Sequence, residues 1–307
     1  MPELPEVEVV RRGLEPAVTG ATIASVAVAE ERSLRRHPGP AEDFVDRLTG
    51  RRMLEAVRRG KFLWIPLAPV PPFVPVPAAA AEALVVHLGM SGQLLLREAG
   101  RADDAQLRIR LLLDHPEHGR IRLDFVDQRI FGSMAIDPLE PTADGAPAGL
   151  GSDAAMIPHR VAHIARDPLD PAFSDTRFLA ALARRHTGIK RALLDQGLVS
   201  GIGNIYADEA LWAARIHYDQ PTDTLGRVRA RRLLAEVRLV LARALEEGGT
   251  SFDAQYLNVN GQSGYFAHSL NVYGRGGEPC PRCGRSIRRE AFMNRSSHFC
   301  PRCQRRR

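Results

Sequence analysis

The sequence predicts an α+β chain of several domains, and three observations carry that reading. Residues 3–18 repeat apolar side chains at helical spacing, whereas residues 21–136 alternate short apolar, β-branched runs with Gly and Pro clusters. After about residue 166 the pattern turns helical again. The last tenth of the chain holds all four cysteines, as Cys280-x2-Cys283 and Cys300-x2-Cys303, the spacing of a four-thiolate zinc site. At 307 residues the chain can bury a sizeable core and is expected to hold two or three domains.

The first helix is expected over 3–18, with Val7, Val10, Leu14 and Val18 on one stripe and Arg11, Arg12 and Glu15 off it. Pro5 suits a first-turn position, and Glu6 and Glu8 suit the positive end of the helix dipole. The runs ATIASVAVAE, RRMLEAVRRGKFLWIPL, ALVVHLGMSGQLLLRE, LRIRLLLD and GRIRLDFVD read as strands of an antiparallel sheet domain, with one short helix at 40–49. Phe62 to Ala81 carries no charge, but six prolines (66, 69, 71, 72, 75 and 77) exclude an ordinary membrane-spanning helix. Residues 66–82 are read as a Pro/Ala-rich surface insert. With no apolar leader at the start, the protein is expected to be soluble and cytoplasmic.

Residues 137–165 are expected to be a linker, since 137–153 reads DPLEPTADGAPAGLGSD. Helical runs then follow: RFLAALARR, KRALLDQG, NIYADEALWAARI and GRVRARRLLAEVRLVLARALEEGG. LVSGIGN is too Gly-rich to be helix and joins two of them by close turns. The last helix is amphipathic, with apolar positions 233, 237, 240, 241 and 245. Residues 249–268 are rich in Gly, Asn and Ser, with Tyr256, Tyr265 and Phe266 inserted.

Charge is unevenly placed. Cys280 to Arg307 contains nine arginines and one acid, Glu290, so the net charge of +6 is concentrated in the cysteine module. A folded basic module points to a polyanionic partner. Of 42 basic residues only Lys61 and Lys190 are lysine. A lysine kept against such a bias suits a place that needs a compact ammonium.

Chemistry concentrates in a few stretches. A small residue follows Met1, which favours removal of the initiator and leaves Pro2 with a free secondary amine beside Glu3. An α-amino group titrates near pH 8, so a useful fraction is neutral and nucleophilic at pH 7. Its attack on an aldehyde-level carbon gives an iminium, a strong electron sink. Gly201-Ile-Gly203-Asn204 precedes a helix and follows Arg184, Arg185 and Lys190, a pattern that predicts a phosphate clamp. His87-Leu-Gly-Met90-Ser-Gly and Asp127-Gln-Arg129-Ile-Phe131-Gly each end a strand with a large side chain beside glycine, which suits wedges for a gap in a base stack. The four cysteines predict one structural Zn2+, with Arg295 near the tip of a β-hairpin between the two pairs.

MPELPEVE, RRGKFLW, HLGMSG, D-x-R-x-F-G, LLDQGLVSGIGNIYADE, GYFAHSLNVYGR and the four-cysteine finger occur in order. Together they resemble the bacterial formamidopyrimidine-DNA glycosylase family over essentially the whole chain. The resemblance implies an N-terminal helix plus antiparallel β-sandwich (1–136), the linker (137–165), a helix–two-turn–helix DNA-binding domain (166–248), a lesion-capping loop region (249–270) and a zinc finger (271–307). DNA would lie in a cleft between two lobes. It also implies roles. Pro2 would be the nucleophile at C1′, Glu3 its acid/base partner, Lys61 a proton donor in β-elimination, and Arg295 the finger residue supporting δ-elimination. Met90, Arg129 and Phe131 would fill the gap left by an extruded base. Arg185, Lys190 and Asn204 would contact the backbone.

The implied activity is bifunctional: excision of oxidised purines from double-stranded DNA and cleavage at abasic sites, by a monomer. An endonuclease VIII-like enzyme for oxidised pyrimidines is one alternative, disfavoured by PELPE and HLGMSG. A non-catalytic zinc-ribbon DNA-binding protein is the other; it would have no use for Pro2, Glu3 or Lys61. Three positions depart from the family pattern: Asn294 before the finger arginine, Ile130 in place of a second basic residue, and Gln106 where a histidine is common.

Overall fold

The computed structural model describes residues 2–68, 81–98, 100–250, 259 and 266–306. They fall into two compact units. The first contains Glu6–His163 with Pro2 and Val259; the second contains Ile164–Thr250 and 266–306 with Glu3–Pro5.

In the first unit the apolar stripe forms α1 (Leu4–Val18), and Val7, Val10, Leu14 and Val18 are all buried. They join one core made by two antiparallel sheets. One sheet has the order β1-β6-β7-β5, from β1 (Thr22–Val28), β5 (Gly92–Arg97), β6 (Leu107–His115) and β7 (Gly119–Asp127). The other has the order β2-β3-β4-β8-β9, from β2 (Val57–Arg59), β3 (Phe62–Leu67), β4 (Glu82–His87), β8 (Ser133–Pro141) and β9 (Met156–Pro158). The period of two sets the contacts. Ile109, Leu111, Leu113, Leu123 and Phe125 of the first sheet share a cluster with Leu63, Ile65, Leu84, Val86, Met134 and Ile136 of the second. The result is the expected β-sandwich. The short helix is α2 (Ala41–Leu48), which buries Phe44 and Leu48.

Two expectations from composition need correction. The stretch 137–153 is not all linker: β8 runs to Pro141, and Leu139–Pro141 pair with β9. Proline content misled the reading, because a strand tolerates proline where its missing N–H would not have joined the ladder. Likewise Pro66 and Leu67 belong to β3 and Glu82 to β4; residues 69–80 of the insert lie outside the described residues.

Glu8, in the first turns of α1, is buried. Its carboxylate accepts from Arg58 Nε at 2.8 Å and is flanked by Arg11 at 3.1 Å and Arg12 at 3.0 Å. Arg58 also donates to Gly60 O at 3.1 Å, so one buried guanidinium links α1 to the β2–β3 hairpin that carries Lys61.

The second unit is helical: α3 (Asp175–Ala183), α4 (Ile189–Leu194), α5 (Asn204–Ala214) and α6 (Arg227–Glu246), followed by the hairpin β10 (Arg288–Phe292) and β11 (Arg295–Phe299). Ser174 caps α3 by accepting the Arg177 N–H. Arg215, in the left-handed region at φ 58°, closes α5. Leu233, Val237 and Leu241 of α6 pack on Tyr206 and Leu211 of α5, Leu193 of α4 and, from the N-terminus, Leu4. Residues 251–258 and 260–265, most of the proposed lesion-capping loop, lie outside the described residues.

Glu8→Leu would remove the carboxylate that lies 2.8 Å from the buried Arg58 Nε. Breaking a buried ion pair by removing one partner costs about 3–5 kcal/mol, and the urea midpoint should fall accordingly. A wild-type midpoint would show that this ion pair does not hold α1 in place.

Candidate functional site

Glu3 is 2% exposed, and its position explains the glycine turn. Its carboxylate accepts the backbone N–H of Gly203 at 2.6 Å and of Ile205 at 3.0 Å. These are donors at the start of α5, which has no side-chain cap of its own at Gly203. A carboxylate from the other end of the chain therefore caps this helix, favoured by the orphan N–H groups and the dipole. The glycines permit the approach. A Cβ on Gly203 would lie 2.3 Å from the Glu3 carboxyl carbon, and one on Gly201 (φ 87°) would lie 2.6 Å from the Leu4 side chain. Leu4 N–H donates to Gly201 O at 3.0 Å, completing the fit. The turn does cradle an anion, as its sequence implied, but here the anion is the protein's own Glu3 rather than a phosphate. Pro2, just before it, is buried.

Lys190 also departs from expectation. It is 0% exposed, whereas a surface phosphate contact was expected. Its ammonium meets Asp208 Oδ1 at 2.7 Å, Ser297 Oγ at 2.8 Å and Ser296 O at 3.2 Å. Three oxygens match the three donors of an ammonium, which accounts for a lysine in an arginine-rich chain. Burial pulls the Lys190 pKa down, while Asp208 and Glu3 oppose that. Asn204 lies in the same cluster: Nδ2 donates to Ser296 O at 3.1 Å, and its buried Oδ1 has no hydrogen-bond partner among the described residues. Asp208 further accepts the His298 N–H at 2.8 Å. The effect is to grip the start of β11 immediately after Arg295. Arg295 itself is exposed beside the Met293–Asn294 turn, where Met293 has φ 52°. Arg185 is half-exposed and paired with Asp195 at 2.7 Å.

The two turns with large side chains adjoin each other in the first unit. A Cβ on Gly89 (φ 65°) would meet the Phe131 carbonyl carbon at 2.4 Å, so the turns pack backbone to backbone. Ser91 Oγ donates to Asp127 at 2.5 Å and accepts the Arg129 N–H at 3.1 Å. The Asp127 carboxylate also takes the Gly132 N–H at 2.6 Å. Held this way, Met90 is 39% and Phe131 46% exposed, among the few large apolar side chains left open. Arg129 lies 5.0 Å from the Phe131 ring centroid. Ile130 sits at φ 55°, a conformation that costs a β-branched residue on the order of 1–3 kcal/mol.

His87, at the end of β4, packs on Phe62 with ring centroids 5.0 Å apart. Burial, then Arg36, Arg35 and Lys61, push its pKa down to about 4. Gly89 N–H donates to His87 Nδ1 at 3.1 Å, so the neutral ring carries its proton on Nε2. His87 lies in a quoted motif, yet a lone histidine at a strand end gave no reason to single it out.

The four cysteine sulfurs lie within 4.8 Å of one another, and Cys283 and Cys300 are 3.5 Å apart. Four thiolates around a zinc at 2.3 Å lie about 3.8 Å apart, so the donor set fits that ion. Trp212 Nε1 donates to Cys280 Sγ at 3.4 Å, a contact that orients one thiol.

Family models match in the same order as these structures. Residues 1–134 match the formamidopyrimidine-DNA glycosylase N-terminal domain, 164–255 the formamidopyrimidine-DNA glycosylase H2TH domain, and 277–306 a zinc finger found in FPG and IleRS. A formamidopyrimidine-DNA glycosylase from Leifsonia xyli is 66% identical over 305 residues, covering 99% of this chain and 100% of that one. The chain belongs to the formamidopyrimidine-DNA glycosylase family. A relative from Salinispora arenicola is 54% identical, covering 99% of this chain and 96% of its own. Among solved structures, a complex of Lactococcus lactis Fpg with DNA containing an abasic site superposes with TM-score 0.79 at 28% identity. It covers 99% of this chain and 100% of that one. A point mutant of the Lactococcus lactis protein in complex with Fapy-dG-containing DNA gives 0.80.

Gly203→Ala keeps an allowed backbone (φ −126°, ψ −159°) but drives a methyl group into Glu3. Losing that cap should cost roughly 1–2 kcal/mol in a urea titration; equal midpoints would mean that Glu3 does not cap α5. For His87 the folded pKa, about 4, lies below its ordinary 6.5. The folded protein then binds fewer protons between these values, so stability present above about pH 6.5 is lost as pH falls towards 4. His87→Gln should flatten that part of the stability–pH curve by roughly 3 kcal/mol at most, read as thermal midpoints against pH. Parallel curves for the two proteins would overturn it.

Proposed function

We propose that this protein is a bifunctional DNA glycosylase and abasic-site lyase that removes oxidised purines, including 8-oxoguanine and formamidopyrimidines, from double-stranded DNA. The observation that carries the proposal is the N-terminus: a buried Pro2 followed by a Glu3 anchored at α5 by two N–H bonds. A sequence-distant helix is used to fix one carboxylate beside one amine. The family membership and the DNA complexes of the Lactococcus lactis relative support the same reading.

Chemistry starts once Met1 is removed. The neutral Pro2 amine attacks C1′, the glycosidic bond breaks, and the base leaves with the bonding pair and a proton. Opening of the sugar ring, with protonation of its oxygen by Glu3, converts the adduct to an iminium. The iminium acidifies C2′; loss of that proton expels the 3′ phosphate, and a second elimination expels the 5′ phosphate. Lys61 donates protons and pairs with phosphate during these steps, and Arg295 supports the second elimination. Extruding the nucleotide costs a few kcal/mol, offset by Met90, Arg129 and Phe131 entering the vacated stack. Arg185 contacts the backbone, and Lys190 and Asn204 act at one remove by holding β11. One Zn2+ on Cys280, Cys283, Cys300 and Cys303 gives the finger its rigidity; no ligand position is left for chemistry. The enzyme acts as a monomer. Among the described residues no helix is long and apolar enough to cross a membrane.

A second reading, action on oxidised pyrimidines, is favoured by one observation: the Lactococcus lactis protein has been solved with DNA containing an oxidised pyrimidine. Excision rates on paired purine and pyrimidine lesions separate the two.

Borohydride trapping on a duplex with 8-oxoguanine opposite cytosine tests the proposal. The wild type should give a covalent adduct and Pro2→Gly should lose it. An undiminished adduct from Pro2→Gly, or none from the wild type, would sink the mechanism.

A further inference from the structure

Arg35 has no part in the chemistry above, yet it contacts the turn that presents Arg129 and Phe131 at three consecutive residues. It directly follows a single 3-10 turn (Glu31–Leu34). Its Nη1 donates to Ile130 O at 3.0 Å and Gly132 O at 2.8 Å, and its Nη2 donates to Phe131 O. Asp127 takes N–H groups of the same turn, from Arg129 at 3.1 Å and Gly132 at 2.6 Å. The turn is therefore clamped twice, its N–H groups by a carboxylate and its carbonyls by a guanidinium. Among the described residues Arg35 makes no ion pair, so carbonyl dipoles alone meet its charge. The clamp also coincides with the left-handed Ile130, a conformation that persists only where the surroundings over-determine it.

We propose that Arg35 is a positioning residue: it sets the height and angle at which Phe131 and Arg129 enter the base stack, and through them the opposite-base selectivity. This rests on the proposed role of that turn. Arg35 is exposed and outside the core, so replacing it should loosen the turn rather than unfold the protein.

The test compares two substrates. Arg35→Ala should slow excision of 8-oxoguanine from a duplex by about tenfold or more, as misplacement of a substrate-handling group does. It should also narrow the difference between cytosine and adenine opposite the lesion. Cleavage and borohydride trapping at an abasic site in single-stranded DNA, where no base is extruded, should be unchanged. Arg35→Lys, with three donors for the three carbonyls, should recover part of the duplex rate. Unchanged duplex excision and selectivity in Arg35→Ala would overturn the proposal, as would an equal loss on both substrates, which marks a general structural role. Failure of the wild type to trap on either substrate would instead strike the catalytic reading on which this rests.

Discussion

The contact between the Glu3 carboxylate and the first N–H groups of α5 is the constraint on which the site depends. It uses the unsatisfied donors of a helix start to hold a single side chain. It forces glycine at 203 and, through Leu4, at 201. It places Leu4 in the helical core of the second unit, while Val7, Val10, Leu14 and Val18 of the same α1 belong to the core of the first. Pro2 directly precedes that anchor and is itself buried. A chain terminus, ordinarily a frayed feature, is in this way tied down.

The same economy recurs at the other functional elements, where polar groups of the protein fix backbone and leave selected side chains open. Asp127, Ser91 and Arg35 take up the N–H and C=O groups of the 127–132 turn, and Met90 and Phe131 remain exposed. Lys190, Asp208 and Asn204 hold the start of β11, and Arg295 remains exposed. Each of these turns is fixed by at least one buried, hydrogen-bonded side chain, Asp127 in the first and Lys190 in the second, so the exposed side chains sit on ordered backbone.

Lys190 shows how far burial can redirect a residue. Its motif, near a glycine turn and two arginines, carried a phosphate-contact reading. Inside the protein the ammonium is fully coordinated by Asp208, Ser297 and Ser296. Glu8 and Arg58 repeat the pattern as a buried pair that no charge count could reveal. In both cases the partner is distant in the chain, so local sequence contains one half of the interaction.

What the sequence determined by itself is whatever depends on local periodicity and spacing. The stripe of α1, the strand runs, the amphipathic α6 and the zinc-type cysteine spacing all follow from near neighbours, and the ordered motifs carried the family. Tertiary structure decided what depends on long-range pairing. Composition placed a linker where β8 and β9 pair, because strand pairing overrides a proline-rich appearance. The glycine turn advertised an anion site but not which anion would fill it. Arg35 carries no local signal at all, since its three carbonyl partners lie nearly a hundred residues away and become adjacent only when the sandwich closes.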